Sequence, residues 1–98
     1  MTLPNLIDQR MHDGSRHFVS LPESQPSSRL MTYLDGLIGA LPTAYLPSML
    51  ESWIDFSYKG HKFSINNQMG EYWFFVRDSN CPEEVLLEVA THFQELLK

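Results

Sequence analysis

Residues 52–77 read SWIDFSYKGHKFSINNQMGEYWFFVR, and this stretch decides the fold. Apolar and polar side chains alternate in three runs, which is typical of strands that turn one face to a core. The dipeptide Lys59-Gly60 separates the first two runs, and a glycine in a two-residue connection indicates a hairpin. We therefore predict a three-strand antiparallel meander over residues 52–77.

The predicted register follows from the lengths of the two connections. A two-residue loop places Phe56 opposite Phe63. A four-residue second connection pairs Ile65 with Tyr72 and Phe63 with Phe74. These side chains then share one apolar face across all three strands, and such agreement between elements supports the register.

The segments on either side of the meander supply two helices and a further strand. Residues 16–21 (RHFVSL) predict a strand with Val19 and Leu21 on one side and Phe18 on the other. Apolar residues at spacings of three and four predict helices over about 27–38, capped by Ser27 or Ser28, and over about 82–97. Residues 43–51 (TAYLPSMLE) fit either a strand or a short helical turn.

The order of these elements predicts an α+β two-layer sandwich, with both helices on one face of an antiparallel sheet. Residues 1–15 are polar and predict a loosely ordered arm, and residues 16–98 form a single domain. A chain of 98 residues is long enough for one core.

Charge and cysteine content exclude several functions. Seven basic residues against twelve acidic ones give a net charge of -5, which argues against duplex nucleic acid or an anionic membrane as the partner. Cys81 is the only cysteine, so the chain has no internal disulfide and no cysteine-based zinc site. No secretory signal or membrane span is recognisable, so we expect a cytoplasmic protein. We also expect no cofactor.

The second face of the meander carries the functional prediction. Alternation places Trp53, Trp73 and Phe75 on this face, together with the cations Lys62 and Arg77. Each aromatic residue brings roughly 150 to 250 Å² of buriable surface, so three together suggest an interaction site. The alternatives are a cover formed by the arm or by residues 43–51, a homodimer or partner interface, and a small-ligand groove.

Other residues offer weaker chemistry. Cys81 precedes the last helix, where the helix dipole lowers a thiol pKa, but a structural cysteine is the simpler interpretation. The strand residues His17 and His61 would form a metal site only if folding brought them together. The acidic residues Glu84, Glu88 and Glu95 follow one face of the last helix, as on an ordinary solvated surface; the alternative is a second interaction surface that docks a basic partner.

These observations predict a small acidic, non-enzymatic protein-interaction or regulatory module, binding a partner or itself through the aromatic sheet face. One alternative is a thiol-dependent enzyme or redox protein that uses Cys81. The other is a single-strand nucleic-acid binder that stacks bases on the aromatic face; the balanced charges around that face argue against it.

Overall fold

The computed structural model describes residues 4–46 and 52–97, which form an α+β fold with a six-stranded antiparallel sheet and two helices. The strand order is β1-β2-β6-β5-β4-β3. In chain order the elements are β1 (Gln9–Arg10), β2 (Arg16–Pro22), α1 (Ser27–Asp35), β3 (Leu41–Leu46), β4 (Trp53–Tyr58), β5 (His61–Gln68), β6 (Glu71–Val76) and α2 (Glu83–Leu97).

The β4–β5 hairpin has the predicted register, with Phe56 opposite Phe63. The β5–β6 register differs from the prediction by two residues, because the connection is the two-residue turn Met69-Gly70. Ile65 therefore pairs with Phe74 instead of Tyr72. The polar residues 66–68 read as a loop in the sequence, but they continue β5.

A register shift in β2 corrects the prediction for Phe18. His17 pairs with Phe75 and Val19 with Phe74, so one extra residue, Phe18, lies between two consecutive pairs. Phe18 is fully buried, and its ring contacts Phe63 and Phe74 edge-on instead of lying on the face opposite Val19.

Helix α1 is shorter than predicted. It ends at Asp35, so Ile38 lies beyond the helix and is 87% exposed instead of joining the apolar stripe. Its N-cap position is Pro26 and carries no side-chain capping bond, so neither Ser27 nor Ser28 caps it. Leu30 and Leu34 still face the core.

The core joins buried side chains of both helices to buried side chains of the sheet. Phe93 of α2 contacts the rings of Phe56 and Phe74. Tyr72 is almost fully buried and donates a hydrogen bond to the backbone oxygen of Gln25 at 2.5 Å. Burial raises the pKa of Tyr72 to about 12, so this hydroxyl stays protonated and able to donate.

The strands β1 and β3 lie along the two margins of the sheet. Within the predicted arm, Gln9 pairs with His17 and Arg10 with Arg16. At the opposite margin, residues 41–46 form β3, which pairs with β4 and is interrupted by a register shift between Pro42 and Ala44. Of the ambiguous segment 43–51, residues 43–46 are therefore strand, and residues 47–51 lie outside the described residues.

Candidate functional site

Strand alternation separates two faces of the sheet, and the candidate site lies on the face opposite the core. Along β4, buried Ile54, Phe56 and Tyr58 alternate with partly exposed side chains. The same alternation in β5 and β6 places Trp53, Trp73 and Phe75 together on this second face, which we call the outer face.

Two rows of side chains cross the outer face. The first row runs through Leu46, Trp53, Asn66, Trp73 and Ser20. The second row runs through Ala44, Asp55, Ser64, Phe75 and His17. Both tryptophans are thus direct cross-strand neighbours of Asn66, one on each side, whereas the sequence-based register placed Trp73 opposite Ser64.

Asp55 is held by two neutral donors. The Trp53 indole Nε1 donates to Asp55 Oδ1 at 2.7 Å, and Ser64 Oγ donates to the same oxygen at 2.6 Å. In the described part of the chain, no basic nitrogen lies within 4 Å of this carboxylate. Asp55 therefore presents on the outer face a carboxylate that no ion pair with the described residues neutralises.

His17 supports the aromatic residues from the neighbouring strand. Its ring stacks on the Trp73 indole, with ring centroids 4.5 Å apart, and it lies 5.2 Å from the Phe75 ring. Its ring nitrogens contact Gln9 Oε1 at 3.3 Å and Ser20 Oγ at 3.0 Å. Burial lowers the pKa of His17 below its ordinary value, because desolvation disfavours the charged imidazolium.

Asn66 is the least satisfied polar residue on this face. Asn66 is only 5% exposed, and its Oδ1 is buried with no hydrogen-bond donor among the described residues. In the next residue, Asn67, the same side-chain oxygen is satisfied, because it accepts a hydrogen bond from the Ser52 backbone N–H at 2.6 Å. A buried acceptor without a donor is rare enough in folded proteins to mark a position for function.

These residues form the floor of a groove of about 700 Å³, which we call the aromatic groove. Its floor consists of Trp53, Asp55, Ser64, Asn66, Trp73 and Phe75. One wall is the β1–β2 turn, through Met11, His12, Asp13 and Ser15, and Thr43 of β3 also lines the groove. Trp53, Trp73 and Phe75 are each partly exposed.

The cations Lys62 and Arg77 are exposed and line one end of the groove. The backbone N–H of Arg77 donates to the Lys62 oxygen, which places both residues beyond the Phe75 row. Asp13 lies on the wall near Arg77. Hydrogen bonds from Ser15, and to a smaller extent the charge of Arg77, lower the Asp13 pKa. The groove therefore has a basic end and an end rich in aromatic rings.

Cys81 lies in the core and is 4% exposed. Burial, with a smaller contribution from Asp78, raises the pKa of its thiol. A reactive thiol needs the opposite shift, so the structure disfavours the use of Cys81 as a nucleophile.

The histidines and the acidic helix face do not converge on the groove in the way a metal centre would require. His17 lies on the outer face, whereas His61 pairs with Tyr58 at the opposite face of the hairpin, 4.0 Å from an Asp78 oxygen. Across residues 4–46 and 52–97, no three His, Cys, Asp or Glu side chains are grouped to hold a metal.

The acidic residues of α2 take part in local contacts. Glu88 accepts hydrogen bonds from Lys59 Nζ at 2.8 and 3.0 Å, which ties α2 to the β4–β5 turn. Glu84 is exposed, and Glu95 is partly exposed and has an interaction partner. The Glu88 contacts indicate a structural role for part of the predicted acidic surface.

Sequence reasoning missed the roles of Asn66 and His17 in the site. The missed signal for Asn66 was the alternation of β5, which continues two residues further than predicted and brings Trp73 beside it. His17 was considered only as a metal ligand, because its neighbours are set by the pairing of β2 with β6, which are distant in the chain.

No helix in the described ranges is both long and apolar enough to cross a membrane. Comparison of the chain with protein-family models, with curated proteins and with solved structures finds no match.

Proposed function

We propose that this chain is a non-enzymatic protein-interaction module that binds a protein segment in the aromatic groove. In this proposal the two helices form one layer of a two-layer sandwich and the sheet forms the other, so the outer face stays available. The observation that carries the proposal is the juxtaposition of Trp53, Trp73 and Phe75, all partly exposed, in one groove. Aromatic side chains in a desolvated pocket supply much of the binding energy at protein interfaces.

The charges of the groove favour a protein segment over a nucleic acid. Asp13 and Asp55 balance Lys62 and Arg77 along its walls and floor. A single-stranded nucleic acid needs a positive path for its phosphates in addition to stacking surfaces. A protein segment can place apolar and charged groups of both signs, which fits this mixed lining.

The test compares partner binding by the wild-type chain with binding by Trp73→Ala. Partners are selected from a phage-displayed library of random dodecapeptides, and affinities are measured by isothermal titration calorimetry on the synthetic peptides. We expect selected peptides to lose at least about tenfold in affinity on Trp73→Ala, as for a central aromatic residue of an interface. Ile38→Ser is the matched control, because Ile38 is 87% exposed and does not line the groove.

A second copy of the chain is tested in the same series. Sedimentation equilibrium of the wild type over a range of concentrations reveals self-association, and Trp73→Ala abolishes it if the groove is the interface. The proposal fails if the wild type is monomeric and no selected peptide depends on Trp73. It also fails if Ile38→Ser weakens binding as much as Trp73→Ala.

A further inference from the structure

At its aromatic end the groove offers acceptors and π-faces. Among the described residues, Asp55 Oδ1 receives hydrogen bonds from the neutral donors Trp53 Nε1 and Ser64 Oγ and from no basic group. Asn66 Oδ1 receives none from the described residues. An occupant that supplies several N–H groups and a positive charge would satisfy both residues.

The position of Asn66 defines where such a donor enters. Asn66 lies in the strand between Trp53 and Trp73, and two interstrand spacings separate the two tryptophan backbones by roughly 9.5 Å. The acceptor oxygen is buried, so an entering group has to displace the atoms that cover it. His17 covers one face of the Trp73 indole, so an occupant stacks on the other.

We propose that the aromatic groove binds the guanidinium group of a partner's arginine, stacked on Trp73 and hydrogen-bonded to Asp55 and Asn66. This inference rests on the proposed function and names the chemistry of the partner. A guanidinium is planar, stacks on indole faces and carries five N–H donors, whereas an ammonium is a compact point charge with three. The net charge of -5 favours the approach of a basic segment.

The cations of the groove set the direction of the bound segment. Lys62 and Arg77 line the end beyond Phe75, where Asp13 offsets part of their charge, so a second positive charge is less favoured there than beside Asp55. The partner's arginine therefore lies toward Trp53 and Trp73, and an acidic or neutral residue of the same segment lies toward Lys62. This polarity makes the recognised segment specific in order as well as in composition.

The test uses dodecapeptides selected on the wild-type chain, each resynthesised with citrulline in place of its arginine. Citrulline keeps nearly the same shape but is neutral and has fewer donors. We expect an arginine in the selected peptides and a loss of at least about tenfold in affinity with citrulline. We also expect Asp55→Asn to weaken the arginine peptide and to leave the citrulline peptide nearly unchanged. The exposed Asp35, outside the groove, gives the charge-matched control Asp35→Asn.

The outcomes separate this inference from the function on which it rests. If selected peptides depend on Trp73 but lack arginine, or bind equally well with citrulline, the groove binds proteins and the guanidinium assignment is overturned. If Asp35→Asn weakens binding as much as Asp55→Asn, the effect is one of net charge and the assignment is again overturned. If no peptide depends on Trp73, the proposed function fails and the inference fails with it. Thermal unfolding of Asp55→Asn checks that the variant is folded.

Discussion

The buried acceptor of Asn66 has a free-energy cost in the isolated chain. Replacing Asn66 with Val removes an oxygen without a donor and introduces a side chain suited to a strand. We expect the free energy of unfolding to rise by about 1 kcal/mol, measured by urea denaturation, while peptide binding weakens.

Asn67 provides the matched control for this substitution. Its Oδ1 accepts the Ser52 backbone N–H, so Asn67→Ala leaves a donor without this acceptor and should lower the free energy of unfolding by about 1 kcal/mol. Equal losses of stability in the two variants would show that the Asn66 amide is satisfied in solution and would remove one basis of the guanidinium assignment.

His17 should make the free energy of unfolding of the chain depend on pH. Burial lowers its folded-state pKa below the ordinary 6.5, so between these two values the unfolded chain binds more protons than the folded chain. The contribution of neutral His17 is complete above about pH 6.5, and it is lost as the pH falls from there through the lowered pKa.

The measurement is the free energy of unfolding from pH 8 to pH 4.5, for the wild type and for His17→Gln. We expect the difference between the two to narrow as the pH falls. His12→Gln is the control, because His12 is exposed in the β1–β2 turn and should leave the wild-type profile unchanged. A constant difference between wild type and His17→Gln would contradict the assigned role of burial.

At the scale of elements, two glycine-containing turns fix the register of the central hairpins. Lys59 and Met69 both adopt a positive φ, of 51° and 49°, in which L side chains other than Asn are uncommon. Lys59 contacts Glu88 of α2, whereas the Met69 side chain is 98% exposed. Both turns therefore contain the same strained backbone conformation. In the β4–β5 turn the contact of Lys59 with Glu88 compensates for it, whereas in the β5–β6 turn the exposed Met69 side chain gains little from packing.

This difference predicts the outcome of one substitution made at both turns. Met69→Asn should raise the free energy of unfolding by about 0.5–1 kcal/mol, because Asn tolerates the left-handed conformation and little packing is lost. Lys59→Asn gains the same backbone relief but loses the bond to Glu88, so its stability should rise less than that of Met69→Asn. Thermal unfolding of both variants checks this, and a larger gain at residue 59 would refute it.

The central hairpins were predictable because local rules determine them. Lys59-Gly60 specified the β4–β5 register, and alternation alone placed Trp53, Trp73 and Phe75 on one face. The β5–β6 register was missed because residues 66–68 are polar and resemble a loop, although they pair with β6. Within the predicted arm, β1 has only two residues, which is too short for an alternation pattern. It is held in place by pairing with β2.

The site was predictable only as far as the sequence pattern determines it. The placement of its aromatic side chains followed from period-two alternation. The stacking of His17 on Trp73 needed the β2–β6 pairing, which joins strands about fifty residues apart in the chain. A groove also needs walls, and one is the β1–β2 turn, whose Asp13-Gly14 dipeptide is a turn signal that the sequence analysis took only as part of a polar arm.

At the scale of the whole molecule, net charge governs the approach of a basic partner. The chain carries -5, and long-range attraction between opposite charges is screened as ionic strength rises. We expect the association rate of an arginine-containing peptide, measured by stopped-flow tryptophan fluorescence, to fall as the salt concentration rises from about 20 to about 300 mM. A rate independent of salt would contradict electrostatic steering.

The margins of the sheet have a consequence for how the molecule behaves at high concentration. One margin is the two-residue strand β1, and the other is β3, which contains Pro42 and a register shift. Short strands, proline and bulges all make a sheet edge a poor template for adding another strand. The described sheet edges should therefore resist strand-by-strand polymerisation into fibrils, even though Trp53, Trp73 and Phe75 leave aromatic surface partly exposed on the outer face.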